Sequence, residues 1–512
     1  MTHGGSAQKS VDSSFTSLPY RRLADAALSR AQDFNVSHAD FRFERVRYQQ
    51  IAVRDGNLQG AGDTEDIGFA VRVILNGAWG FASGVVLTPE SAVHIAETAV
   101  QVAQVAANMT TELVALAPEP VYDDVEWVSS YETDPLTVPL SEKVGLFSDW
   151  TGRLLGSPEV AHSSALLQQV VENKFYTDLA GTTTTQQRVR IQPEVEVFGI
   201  DEASGRFDSI RTIAPPVGRG WEYVVGAGYD WDSDLNALPG LLSEKLAAPS
   251  VHAGKYDLVI DPSNLWLTIH ESIGHATELD RALGYEANYA GTSFATYDQL
   301  GKLQYGSPLM HVTGDRTAEH GLATIGYDDE GVHTQTWDII KDGVLVGYQL
   351  DRAMAQHMGA ELNGGRSNGC AYADSPGHIP IQRMANVSLQ PALDGPGTQD
   401  LIGHVERGIY VVGDKSWSID MQRYNFQFTG QRFYRIENGR LQGQLRDVAY
   451  QATTTDFWGS MEAVGGPQTW VLGGAFNCGK AQPGQVASVS HGCPTALFRD
   501  IRVLNTAAEA GH

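Results

Sequence analysis

His270-Glu271-Ser272-Ile273-Gly274-His275 sets two imidazoles around a carboxylate, on what reads as a buried helix. That is the inventory of a metal site that activates water against a peptide carbonyl. The familiar zinc-peptidase pattern places its histidines four residues apart, about 40° out of alignment at roughly 100° per residue. Here they are five apart, about 140° out of line on a regular helix. A local π-type widening, in which the ladder shifts to i→i+5, would return both rings to one side, and such bulges recur at functional sites. Gly274 eases that distortion because it carries no Cβ. The competing reading is a histidine pair near a helix end that only packs and hydrogen-bonds.

Zinc needs at least a third protein ligand and commonly accepts thiolate beside imidazole. The chain has three cysteines, Cys370, Cys478 and Cys493. All lie far from the helix in sequence, so spacing does not choose among them.

The segment from Val259 to Phe294, VIDPSNLWLTIHESIGHATELDRALGYEANYAGTSF, resembles the metal-binding region of the TldD/PmbA family of metallopeptidases, with its H-E-x-x-x-H core followed by a G-T-S loop. Ala39 to Glu44 and Gly77 to Ser83 resemble that family's N-terminal strands. Gly347 to Arg352, the Arg366 to Met384 stretch ending HIPIQRM, and the Asn477 to Pro494 loop resemble its C-terminal half. The matches follow family order over most of the chain.

The resemblance implies that His270, His275 and Cys478, in its C-G-K context, hold zinc. The PmbA-like branch lacks these residues and looks non-catalytic, so the chain resembles the TldD-like branch. The implied function is a zinc-dependent peptidase that hydrolyses unstructured peptides by metal-activated water, with Glu271 as general base. The alternative is a non-hydrolytic peptide-binding or maturation subunit whose metal is structural or absent. The family also implies a dimer enclosing its active site, either a homodimer or a heterodimer with a PmbA-like subunit. Cys370 reads as a compact buried side chain. Cys493, two residues after His491, resembles half of a metal fragment with no second half. The single histidines, among them His252, His311, His320, His333, His357, His378 and His404, read as surface or hydrogen-bonded core residues.

The chain is 512 residues long, with 36 Lys and Arg against 61 Asp and Glu, a formal charge of −25. Without a basic cluster this argues against nucleic acid or an anionic membrane as partner. No apolar run reaches the roughly 18 residues of a membrane span, and MTHGGSAQKSVDSSFTS lacks the apolar core of a signal peptide. An odd cysteine count with one thiolate committed to metal fits a cytoplasmic protein.

Pattern predicts an α+β fold, an N-terminal α/β region followed by a larger β-rich C-terminal domain carrying the metal-binding helix. The division is a flexible tail at 1–15, an α/β domain at 16–117, a middle α/β domain with long strands at 118–240, and the metallopeptidase domain at 241–512. Helices are expected between Pro19 and Asn35, from Thr88-Pro89 to about Asn108, around Ser141 to Leu155, and after Pro239. Phe41 to Tyr48 and Ile51 to Val53 read as separate extended segments. Asn76-Gly77, Asp342-Gly343 and Asn438-Gly439 read as hairpin turns.

Overall fold

The computed structural model describes residues 9–202 and 204–510. Its first layer is a seven-stranded sheet ordered β3-β2-β1-β5-β6-β4, with β7 also paired to β6. The strands are β1 (His38–Arg54), β2 (Asn57–Leu75), β3 (Ala78–Gly84), β4 (Val125–Val128), β5 (His162–Asp178), β6 (Thr183–Asp201) and β7 (Arg206–Arg211). The two segments expected within 41–53 form one strand, β1, because β2 and β5 both pair along it. That β1–β5 pairing also places residues 16–117 and 118–240 in one continuous sheet.

Helices Tyr20–Gln32 and Pro89–Ala107 cover one face, burying Leu23, Ala27, Ala96 and Ala99 over Phe41, Phe43, Phe69 and Val71. Small residues permit the close approach. A Cβ on Gly80 of β3 would stand 1.9 Å from the Ala99 carbonyl oxygen. Val11 and Phe15 are buried in the same cluster, so residues 9–15 of the expected tail are packed, held by apolar burial that polar composition around them concealed. Residues 1–8 lie outside the described residues.

Helices Leu140–Leu155 and Trp231–Ala247 bury a second cluster against β5 and β6. The latter runs straight through Pro239, where a boundary was expected. A proline inside a helix removes one ladder bond. Burial of Trp231, Leu235, Leu238 and Leu242 on one face, with Asp230 capping Ser233, outweighs that loss.

The C-terminal part is β-rich, as expected. β8 (Gly254–Ile260) lies between strands Arg407–Ile419 and Ala496–Asn505, and the order continues through Val448–Thr453, Asn425–Glu437 and Arg440–Leu445. Strands Arg407–Ile419 and Asn425–Glu437 pair as well, so this sheet closes on itself. All three anticipated hairpins form, with positive φ at Asn76-Gly77, Asp342-Gly343 and Asn438-Gly439, the signature of the favoured two-residue turn.

Buried ion pairs join the N-terminal sheet to the C-terminal part. Arg72 reaches Glu330 at 2.9 Å, and Lys174 reaches Asp329 at 2.7 Å. Among the described residues no helix is long and apolar enough to cross a membrane.

Candidate metal centre

β8 is followed by Asp261, whose carboxylate accepts the Ser263 N–H and starts helix Pro262–Ile269. Asn264 fastens this helix to the closed sheet, donating to the carbonyls of Gly413 at 2.9 Å and Thr429 at 3.0 Å. At its end the helix widens into a π turn, His270–Gly274. The His275 N–H donates to the His270 carbonyl at 3.0 Å, an i→i+5 bond, and the two ring centroids stand 4.6 Å apart. The widening anticipated from the spacing is therefore present. Gly274 serves it by space rather than by unusual backbone conformation, since its φ is not positive. A Cβ there would sit 2.5 Å from Met384 Sδ.

The sulfur arrives on strand Val471–Lys480, which among the described residues pairs only with Gln485–Cys493. Their register breaks between Ala475 and Cys478, a bulge of the kind that re-aims a side chain. Cys478 Sγ lies 3.6 Å from His275 Nε2. The ligand atoms of His270, His275 and Cys478 all lie within 4.8 Å of one another and all three residues are buried. Among the described residues no other group of three or more His, Cys, Asp or Glu is arranged in this way.

Each histidine is oriented from behind. His270 Nδ1 is 2.7 Å from His491 Nε2, and His491 Nδ1 is 2.8 Å from the Val387 carbonyl oxygen. A carbonyl only accepts, so His491 carries its proton on Nδ1 and its Nε2 accepts from His270 Nδ1–H. That leaves the lone pair of His270 on Nε2. His275 Nδ1 donates to Glu278 Oε2 at 3.0 Å, leaving its own Nε2 toward Cys478. Burial holds both imidazoles below their ordinary pKa. Burial opposes ionisation of the Cys478 thiol, yet the hydrogen bond and positive charge available at His275, with the Arg383 guanidinium, outweigh burial and hold the thiol below its usual value. Burial likewise opposes a charge on Glu278, but Lys480, His275 and Arg281 keep it ionised. Two imidazoles and a thiol are a donor set suited to zinc.

His491 was read from sequence only as half of an unfinished fragment with Cys493, and Glu278 was not singled out. Glu278 did have a local signal, its three-residue spacing from His275. His491 had none, because its role depends on the strand opposite. Its replacement gives a clean test. His491→Leu removes the acceptor for His270 Nδ1–H and should weaken zinc affinity about 10- to 100-fold, as loss of such outer partners does. His491→Gln, which retains an acceptor, should recover much of it. Competition against a chromogenic chelator measures both, and wild-type affinity in the leucine variant would remove His491 from this role.

Glu271, directly after His270, points its Oε2 at Arg423 Nη1, 2.7 Å away. Arg423 stands on the turn after strand Arg407–Ile419, and the Gly-Thr-Ser loop braces that turn. The Thr292 N–H donates to the Met421 carbonyl at 2.8 Å and Phe294 N–H to that of Gln422 at 2.9 Å. A Cβ on Gly291, whose φ is +85°, would stand 2.1 Å from the Met421 oxygen. Cys370 and Cys493 are buried outside the cluster, as expected; burial pushes the Cys370 thiol up to about 11 and that of Cys493 well above its ordinary value.

Residues 253–505 match the family profile described as the PmbA/TldA metallopeptidase C-terminal domain, and residues 39–103 match domain 1 of the same family. The chain belongs to the TldD/PmbA family. A relative from Methanothermobacter thermautotrophicus named a metalloprotease is 27% identical over 92% of this chain and 96% of its own. A Haemophilus influenzae protein named a metalloprotease TldD homolog is 26% identical over 92% and 94%. One from Saccharolobus solfataricus, named a zinc metalloprotease TldD homolog, is 20% identical over 93% and 98%. Among solved structures, TldE from Thermococcus kodakarensis superposes with a TM-score of 0.66 at 15% identity, covering 94% of this chain and 99% of that one. A Thermotoga maritima protein described as a candidate DNA gyrase modulator reaches 0.74 at 16% identity, covering 95% and 100%. At such identities the structural likeness speaks for the fold alone.

Proposed function

We propose that this TldD/PmbA chain is a zinc-dependent peptidase acting on unstructured peptides, with zinc held by His270, His275 and Cys478. The observation that carries the reading is the convergence of one ligand atom from each of His270, His275 and Cys478 within 4.8 Å, beside a carboxylate that is not one of the three. Structural zinc sites usually have four protein ligands, whereas three leave room for water. A zinc ion held by these three residues would supply a Lewis acid for the scissile carbonyl and a water whose pKa is lowered toward about 7. Glu271 follows the first ligand and accepts the proton of that water, then returns it to the leaving amine. His491 and Glu278 hold the two imidazoles in the tautomer that presents Nε2.

The substrate we infer is an extended peptide read through its backbone, because among the described residues the strand carrying Cys478 has a strand neighbour on one side, and a sheet edge accepts an added strand. Assembly as a homodimer or with a PmbA-like subunit, in the cytoplasm, belongs to the same proposal. Three free cysteines agree with that compartment. Chelation tests the reading. Stripping metal should abolish cleavage of an unstructured peptide followed by mass spectrometry, and one equivalent of zinc should restore it. Undiminished cleavage by metal-free protein would overturn the proposal.

A further inference from the structure

Arg423 is placed as no simple surface arginine would be. It lies between strands Arg407–Ile419 and Asn425–Glu437 with φ +63°, a conformation that L side chains rarely adopt. The turn is fixed around it. Asp420 accepts the N–H groups of Gln422, Tyr424 and Asn425 at 3.1, 2.8 and 3.0 Å. The side chain is 14% exposed and the Glu271 carboxylate it meets is 7% exposed.

Of the guanidinium's donors, Nη1 is on Glu271 and Nη2 on the Ala290 carbonyl at 3.3 Å. Nε has no partner among the described residues, so the fork retains donors for another oxygen. Through Glu271, the chain neighbour of His270, it stands next to the π turn that carries the ligands. It suits a site where negative charge leaves the carboxylate and appears on a neighbouring oxygen.

We propose that Arg423 is a catalytic residue that donates to the scissile carbonyl oxygen as that oxygen becomes an anion; this rests on the peptidase reading. When water attacks, its oxygen bonds to the carbonyl carbon, the C=O π pair moves to oxygen, and the water proton passes to Glu271. Protonated Glu271 then holds Arg423 less strongly, just as the new oxyanion demands it. The pair returns, the C–N bond breaks, and the proton on Glu271 goes to the amine nitrogen.

The test uses the zinc-loaded full chain, with zinc content checked in every variant. Arg423→Gln should lower kcat about 10²- to 10³-fold, the usual loss for one oxyanion donor, with little change in KM. Arg423→Lys should recover part of it. To separate this from orientation of Glu271, affinities are compared in a Glu271→Gln background. There, adding Arg423→Gln should weaken a phosphinate peptide, a tetrahedral anion, by about tenfold or more while sparing the matching amide peptide. An unchanged phosphinate affinity, or wild-type kcat in Arg423→Gln, would overturn the proposal while leaving the peptidase reading intact. Absence of cleavage by zinc-loaded wild type would instead remove both.

Discussion

Glu271→Gln is expected to retain zinc at wild-type stoichiometry and to lose peptide cleavage by about 10²- to 10⁴-fold, the range supplied by a positioned general base. The two effects separate because the carboxylate stands beside the three-donor cluster and is not part of it. Glutamine has the same shape and its amide oxygen can still accept from Arg423 Nη1, which now meets Glu271 at 2.7 Å. The turn carrying Arg423 keeps its other ties, to Asp420 and to the Gly-Thr-Ser loop, so the pocket should stay intact. What disappears is the capacity to hold a proton between water and amine. Steady-state cleavage measured beside bound zinc distinguishes the outcomes. Full activity in the variant would take Glu271 out of proton transfer, and loss of zinc would place it among the groups that hold the metal.

The parts of this site that could be read from sequence were those set by local spacing. A five-residue spacing from His270 to His275 demands a π turn if both rings are to act together, and that turn forms. Asn-Gly and Asp-Gly pairs required positive φ, and the hairpins followed. Features set by distant chain segments were not legible. Strand β1 finds β5 across more than a hundred residues, so a proline-rich stretch between them looked like a domain edge although one sheet spans it. Pro239 reads as a helix start because proline fits a first turn, whereas the buried apolar face extends back to Trp231. Spacing could not choose Cys478 over Cys370 or Cys493. Family resemblance pointed to Cys478, and the register break after Ala475 explains how its sulfur reaches His275.

Cys478→Ala should empty the site while leaving the fold in place. The side chain is small, and the pairing of strands Val471–Lys480 and Gln485–Cys493 is made by backbone. Removing the thiolate leaves two neutral imidazoles, too few donors for zinc to displace its bound water with profit. The loss should appear in stability as well as in metal content. Zinc binding only the folded chain stabilises it by about 2.7 kcal/mol at a hundredfold excess over Kd. The melting temperature of the wild type should therefore rise with added zinc and that of Cys478→Ala should not. Cys493→Ala is the matched control, since Cys493 is buried against the Pro262 carbonyl at 3.7 Å and outside the cluster. It should retain zinc and the zinc-dependent rise even if its melting point falls from lost packing. Wild-type zinc content in Cys478→Ala would mean that the sulfur is only a neighbour of the two imidazoles, and the hydrolytic site would have to be rebuilt around another third ligand.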